Sequence, residues 1–188
     1  MKRASARELL ARARFPLFAI PPSSWDGAAF VGSFTTEGEG IRDIQFVYLD
    51  GIDEHSFGIC VSNIDGSATV EEPLDAHLLS FSSRLDEAYV VARVKRRKGP
   101  VFAARDFTKQ QTTVTVAGRT AGALVYIHRE IPLRLARVPL HIGSSVTDIG
   151  VAGWRLDPLD HLSKLLIVDP KVAAEFDAEP EYEIQLDG

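Results

Sequence analysis

The 188 residues are 45% apolar and 25% charged, with a net charge of −5. Those proportions suit a water-soluble globular domain and argue against a disordered chain or a surface devoted to nucleic acid. A single cysteine, Cys60, excludes an intramolecular disulfide and a multi-cysteine zinc site, and no apolar run approaches the roughly 20 residues that span a bilayer.

In chain order, 3.6-residue periodicity of Ala6, Leu9, Leu10 and Ala13 predicts a helix over 3–14, closed by Phe15-Pro16 and an extended Pro21-Pro22-Ser23-Ser24 connection. Strands are predicted at 28–35, 41–49 and 56–62. In the second, Ile44, Phe46 and Tyr48 share one face and Gln45, Val47 and Leu49 the other. Leu74, Leu78, Phe81 and Leu85 form one stripe of a helix over 73–86, opened by Pro73. Strand character then dominates at 89–94, 101–107, 112–117, 123–128, 133–138 and 146–154. Asp157-Pro158 and Asp169-Pro170 each read as a capping Asp before a helix-starting Pro, with a short apolar strand, 165–168, between them. Tyr182, Ile184 and Leu186 alternate with acidic and polar residues, as in a charged edge strand.

Sequence signatures of catalysis are sparse. The chain has no phosphate-binding P-loop, no G-x-S-x-G elbow and no H-E-x-x-H helix. Asp50, Asp53, Glu54 and His55 crowd one predicted hairpin loop and are the weak metal candidates, but their spacing matches no calcium loop, and Asp-Gly favours such turns for backbone reasons. The five histidines are dispersed. His77, beside the apolar stripe, reads as a hydrogen-bonded core imidazole, and Cys60, between Ile59 and Val61, as a small core residue. Trp25 sits in a loop-like setting, where its ring serves either the core or an interface.

These readings predict one α+β domain, 1–188. It has a mostly antiparallel sheet, an N-terminal helix with its Pro-rich connection (1–24), one central amphipathic helix and short C-terminal helices. Arg outnumbers Lys and Asn occurs once, the usage of a GC-rich genome, and the apolar cluster 15–20 is too short and Pro-broken for a secretory signal. A cytoplasmic bacterial protein is therefore expected. Residues 101–150 carry a net +3 and 151–188 a net −6. This segregation points to a non-catalytic protein-binding module, in the manner of an immunity or antitoxin-like inhibitor, chaperone or adaptor, acting through charged surfaces. Lys95, Arg96, Arg97 and Lys98 on a predicted turn, and Glu181, Tyr182 and Glu183 on the acidic strand, are the candidate contacts with another protein or a second copy. No cofactor and no membrane association are expected. The alternative is a small hydrolase with a noncontiguous site near Asp50–His55. Nucleic-acid binding through Lys95–Lys98 ranks third, because aromatics do not interleave the basic run.

Overall fold

The computed structural model describes residues 2–25, 28–35, 42–50, 57–67, 74, 76–78, 81, 102–154 and 157–179. Its strands are β1 (Lys2–Arg3), β2 (Phe18–Ala19), β3 (Ala28–Thr35), β4 (Asp43–Asp50), β5 (Phe57–Asp65), β6 (Phe107–Val116), β7 (Arg119–His128), β8 (Leu133–Ile142), β9 (Ser145–Trp154) and β10 (Leu166–Ile167). Its helices are α1 (Ala6–Arg12), α2 (Pro158–Ser163) and α3 (Pro170–Ala178), and Leu74, Ala76, His77, Leu78 and Phe81 are also helical. Eight strands make one antiparallel sheet in the order β1-β3-β4-β5-β9-β8-β7-β6, and β2 and β10 form a separate ribbon. Two meanders, β3-β4-β5 and β6-β7-β8-β9, therefore meet at the single seam β5–β9.

Both faces of the central strands are buried, and alternation there assigns each side chain to one of two layers. Ile44, Phe46, Tyr48, Val61, Ile149 and Val151 face a core completed by Leu9 of α1, Leu162 of α2 and Phe176 of α3. Val47, Leu49, Cys60, Leu135 and Ala152 face the opposite layer, covered by Leu74, Leu78, Phe81 and Phe102. Burying each such Leu or Phe stabilises the fold by about 1.5–3 kcal/mol.

The segment between α1 and β3 crosses the first face with little regular structure, so its backbone polar groups need other partners. The sheet supplies them. Asn63 Oδ1 accepts from Phe18 N at 2.7 Å while its Nδ2 donates to Phe18 O at 2.9 Å. The Tyr48 hydroxyl accepts from Ile20 N at 3.2 Å and donates to Ile20 O at 2.9 Å. Thr147 Oγ1 donates to Pro16 O at 2.6 Å. Trp25 is half-buried and packs against this core, its ring 4.9 Å from that of Tyr48 and 5.0 Å from that of His161.

Several elements differ from the sequence reading. The helix expected over 3–14 is only Ala6–Arg12, because Arg3 pairs with Phe34 in the sheet and Ser5 caps the helix start. The strands expected at 101–107 and 112–117 are instead a 3-10 turn, Ala104–Asp106, followed by the unbroken strand β6. The Thr-Lys-Gln-Gln-Thr-Thr run holds no breaker, and every residue of β6 pairs with β7. β8 continues past Val138 through Pro139, which stands opposite Asp148. The two-residue turn after Ile142 makes Pro139 a non-hydrogen-bonded partner of β9, so its missing N–H is not needed there, and β7 pairs with β8 only as far as Arg137. In the expected 165–168 strand only Leu166 and Ile167 pair, and they are 45% and 40% exposed while Leu165 and Val168 are buried.

Candidate functional site

Four polar side chains converge beneath the helical residues 76–78 on the second face of the sheet. Ser62 comes from β5, Asp148 from β9, Arg137 from β8, and His77 from the helix above. Ser62 Oγ lies 2.5 Å from His77 Nδ1, and His77 Nε2 lies 2.8 Å from Asp148 Oδ1. Arg137 grips the same carboxylate through Nε, at 2.8 and 2.9 Å, and through Nη2 at 2.5 Å. The acceptor-only carboxylate takes its proton from Nε2, and Ser62 Oγ, besides its contact with Nδ1, donates to Gly150 O at 3.4 Å. Ser62, His77 and Asp148 are all buried. Burial alone raises the Asp148 pKa, but the hydrogen bonds from His77 and Arg137 outweigh it and hold the carboxyl below its ordinary value. Burial likewise pulls the Arg137 pKa down, and its bonds to Asp148 and Tyr126 more than reverse that.

Hydroxyl, imidazole and carboxylate in series is the order of an acyl-transfer triad. Two features oppose that chemistry here. Ser62 sits mid-strand, paired to Gln45 on one side and Gly150 on the other, with only 4% of its surface exposed, whereas a nucleophile must be presented to substrate. Arg137 also already neutralises the carboxylate whose charge would stabilise an imidazolium. The arrangement is a polar bolt that fastens a helix to the β5–β9 seam. Removing one partner of such a buried ion pair typically costs about 3–5 kcal/mol.

A second feature lies at the end of the sheet. β6 is the terminal strand, and among the described residues no strand pairs with its outer side. Its turn to β7, Ala117-Gly118, has φ values of 48° and 77°, the left-handed pair of a tight two-residue hairpin. Such a turn closes on the hydrogen-bonded pair Val116↔Arg119. Alternation then turns the main-chain groups of Thr108, Gln110, Thr112 and Val114 toward β7, and those of Lys109, Gln111, Thr113 and Thr115 outward. The bond from Arg129 N to Asp106 O, at 2.9 Å, fits this parity. Thr108, Lys109, Gln110, Gln111 and Thr113 are all exposed.

A cleft of about 380 Å³ opens between α1, α3 and β3, lined by Arg3, Glu8, Phe30, Ser33, Phe176 and Asp177 among others. Asp177 and Glu8 serve the fold. Asp177 accepts from Ala6 N at 2.7 Å and Arg7 N at 3.2 Å, capping α1, and Glu8 pairs with Arg12 at 3.1 Å.

Of the residues singled out from the sequence, Lys95, Arg96, Arg97, Lys98, Glu181, Tyr182, Glu183, Asp53, Glu54 and His55 lie outside the described residues. Asp50 ends β4, opposite Ala28 and Phe57. Among the described residues no group of three or more His, Cys, Asp or Glu is placed to hold a metal ion. His77 is the buried, hydrogen-bonded imidazole expected of it, but its partners Ser62, Arg137 and Asp148 carried no sequence motif. The available signal was a polar residue interrupting an apolar strand, at Ser62, at Arg137 between Ala136 and Val138, and at Asp148 before Ile149. Cys60 is buried among Val47 and Leu49. His128 Nδ1 accepts from the backbone N–H of Glu130, at 3.1 Å, and of Ile131, at 3.3 Å, fixing the β7–β8 turn. No helix among the described residues is long and apolar enough to cross a membrane. No protein-family model, curated protein or solved structure matches the chain.

Proposed function

We propose that the protein is a non-catalytic binding module that engages another protein, or a second copy of itself, by main-chain pairing along β6. One observation carries this reading: a regular ten-residue terminal strand with its outward amides and carbonyls facing away from the sheet. Edge strands are ordinarily blunted by Pro, bulges, shortness or several charges. The opposite end of the sheet is blunted in this way, with a bulge between Phe30 and Gly32 and a two-residue β1. β6 has no Pro, a continuous ten-pair register and one charge, Lys109. Strand addition to such an edge draws affinity from main-chain bonds and selectivity from neighbouring side chains. Lys95, Arg96, Arg97 and Lys98 precede β6 in the chain and are proposed to steer an acidic partner, with Glu181, Tyr182 and Glu183 as the opposing charged surface.

Hydrogen exchange of the protein with a captured partner tests the reading. Lys109, Gln111, Thr113 and Thr115 amides should become protected, and Gln111→Pro should abolish capture. A partner that binds Gln111→Pro normally and leaves those amides unprotected refutes it. The hydrolase expected near Asp50–His55 finds no support there among the described residues. The hydroxyl–imidazole–carboxylate series Ser62–His77–Asp148 is a different place for such chemistry, and labelling of Ser62 by a fluorophosphonate, lost in Ser62→Ala, would establish a hydrolase over binding.

A further inference from the structure

Independently of the β6 edge, we infer that His77 is a buried proton switch. It takes up a second proton while its helix stays docked, as the Ser62 hydroxyl turns from His77 Nδ1 to Gly150 O. Ser62 has one hydroxyl proton and two acceptors within reach, Nδ1 at 2.5 Å and Gly150 O at 3.4 Å. That surplus allows two complete hydrogen-bonded states. With a neutral imidazole, Nε2–H donates to Asp148 and the Ser62 hydroxyl donates to Nδ1. When a proton from solvent adds to Nδ1, the new N–H donates to Ser62 Oγ and the hydroxyl proton swings to Gly150 O. A carbonyl oxygen has two lone pairs, so Gly150 O accepts it beside a ladder bond. Neither state strands a ring nitrogen, the condition for a buried imidazole to change charge without leaving its site.

Strand register makes this possible. Ser62 pairs directly with Gly150 across the seam, and the absent side chain at 150 lets both Nδ1 and Oγ close on the strand. Among the described residues, the charged groups beneath His77 are Asp148 on β9 and Arg137 on β8. Tyr126 on β7 bonds Arg137, and Cys60 shares the face of β5 with Ser62. Arg137 already offsets the charge of Asp148, so the carboxylate alone does not hold the added proton. The hydrogen bond that Ser62 offers to Nδ1–H therefore decides whether uptake occurs inside the fold. The Arg137 side chain is 18% exposed, so the entering charge is not fully cut off from water.

Nitrogen NMR of the histidine rings in the labelled full chain, followed from pH 9 to pH 4 beside the amide spectrum, tests the inference. At the alkaline end His77 should carry its proton on Nε2 alone. Lower pH should bring a second proton to Nδ1 with the amide spectrum still that of the folded protein. In Ser62→Ala the second N–H has no acceptor. Uptake should then need a proton concentration about tenfold higher or more, the worth of one charge-assisted hydrogen bond. The wild-type spectra decide the question even where Ser62→Ala does not fold. A ring that holds one protonation state at every pH where the amide spectrum is folded overturns the inference. So does a folded Ser62→Ala protein that takes up the proton as readily as wild type.

Discussion

His77 seats directly over Gly150. A Cβ at position 150 would lie 2.8 Å from Ser62 Oγ and closer still to His77 Nδ1. The missing side chain is the socket into which the imidazole fits. Gly150→Ala should therefore push His77 off its partners and destabilise the fold by about 1–3 kcal/mol, read as a lower urea midpoint. Combined with His77→Ala the two losses should be less than additive, since both break the same contact. An unchanged midpoint in Gly150→Ala would contradict this seating.

Asp148 makes stability depend on acid. Its folded pKa lies below the unfolded value of about 3.9. The folded state thus holds the ionised form, and its contribution is complete above the unfolded pKa. It is lost as pH falls through the folded pKa. Chemical denaturation from pH 6 down to pH 2 should show this loss in wild type and a flatter dependence in Asp148→Asn. At pH 6 the variant should also be less stable, by about 3–5 kcal/mol, because Arg137 loses the charge that pairs it. Equal slopes in the two proteins would show that Asp148 is not the linked group.

Asn63 holds both main-chain groups of Phe18. Asn63→Ala should strand a buried N–H and a buried C=O, for a loss of about 2–4 kcal/mol. Amide exchange should report it most sharply at Phe18, which would open locally before the sheet does. Persistent protection of that amide in the variant would contradict the role.

Asp157 and Asp169 cap their helices. Asp157 Oδ1 accepts from Leu159 N at 3.1 Å and Asp160 N at 3.4 Å, and Asp169 Oδ1 from Val172 N at 2.8 Å. Either change to Ala should cost about 0.5–2 kcal/mol in thermal or chemical melts, with binding of any partner preserved in the folded protein. A folded variant that loses partner binding would assign that Asp to an interface.

Local chemistry was the legible part of the sequence. The split of β4 into Ile44, Phe46 and Tyr48 against Val47 and Leu49 follows from alternation alone, because both faces are covered and both sets are apolar. The Asp-Pro caps need only three or four consecutive residues to be recognised. β6 was obscure because alternation appears only where a layer covers one face, and Thr108–Gln111 are exposed on both. The polar bolt was obscure for a different reason. Ser62 and Gly150 are 88 residues apart and meet through strand register, which no short motif encodes.

The single β5–β9 seam has a kinetic consequence. The hairpins β6–β7 and β8–β9 close through two-residue turns and are fast to form, whereas the seam must close the long loop from Asp65 to Thr147. Until it does, β5 and β9 each present an apolar strand edge, Ile59–Val61 and Ile149–Val151, to neighbouring molecules. Refolding should therefore be slow and lose yield as protein concentration rises, with the Ser62–His77–Asp148 bolt forming only at the last step. A fast, concentration-independent recovery in stopped-flow refolding would place seam closure early instead.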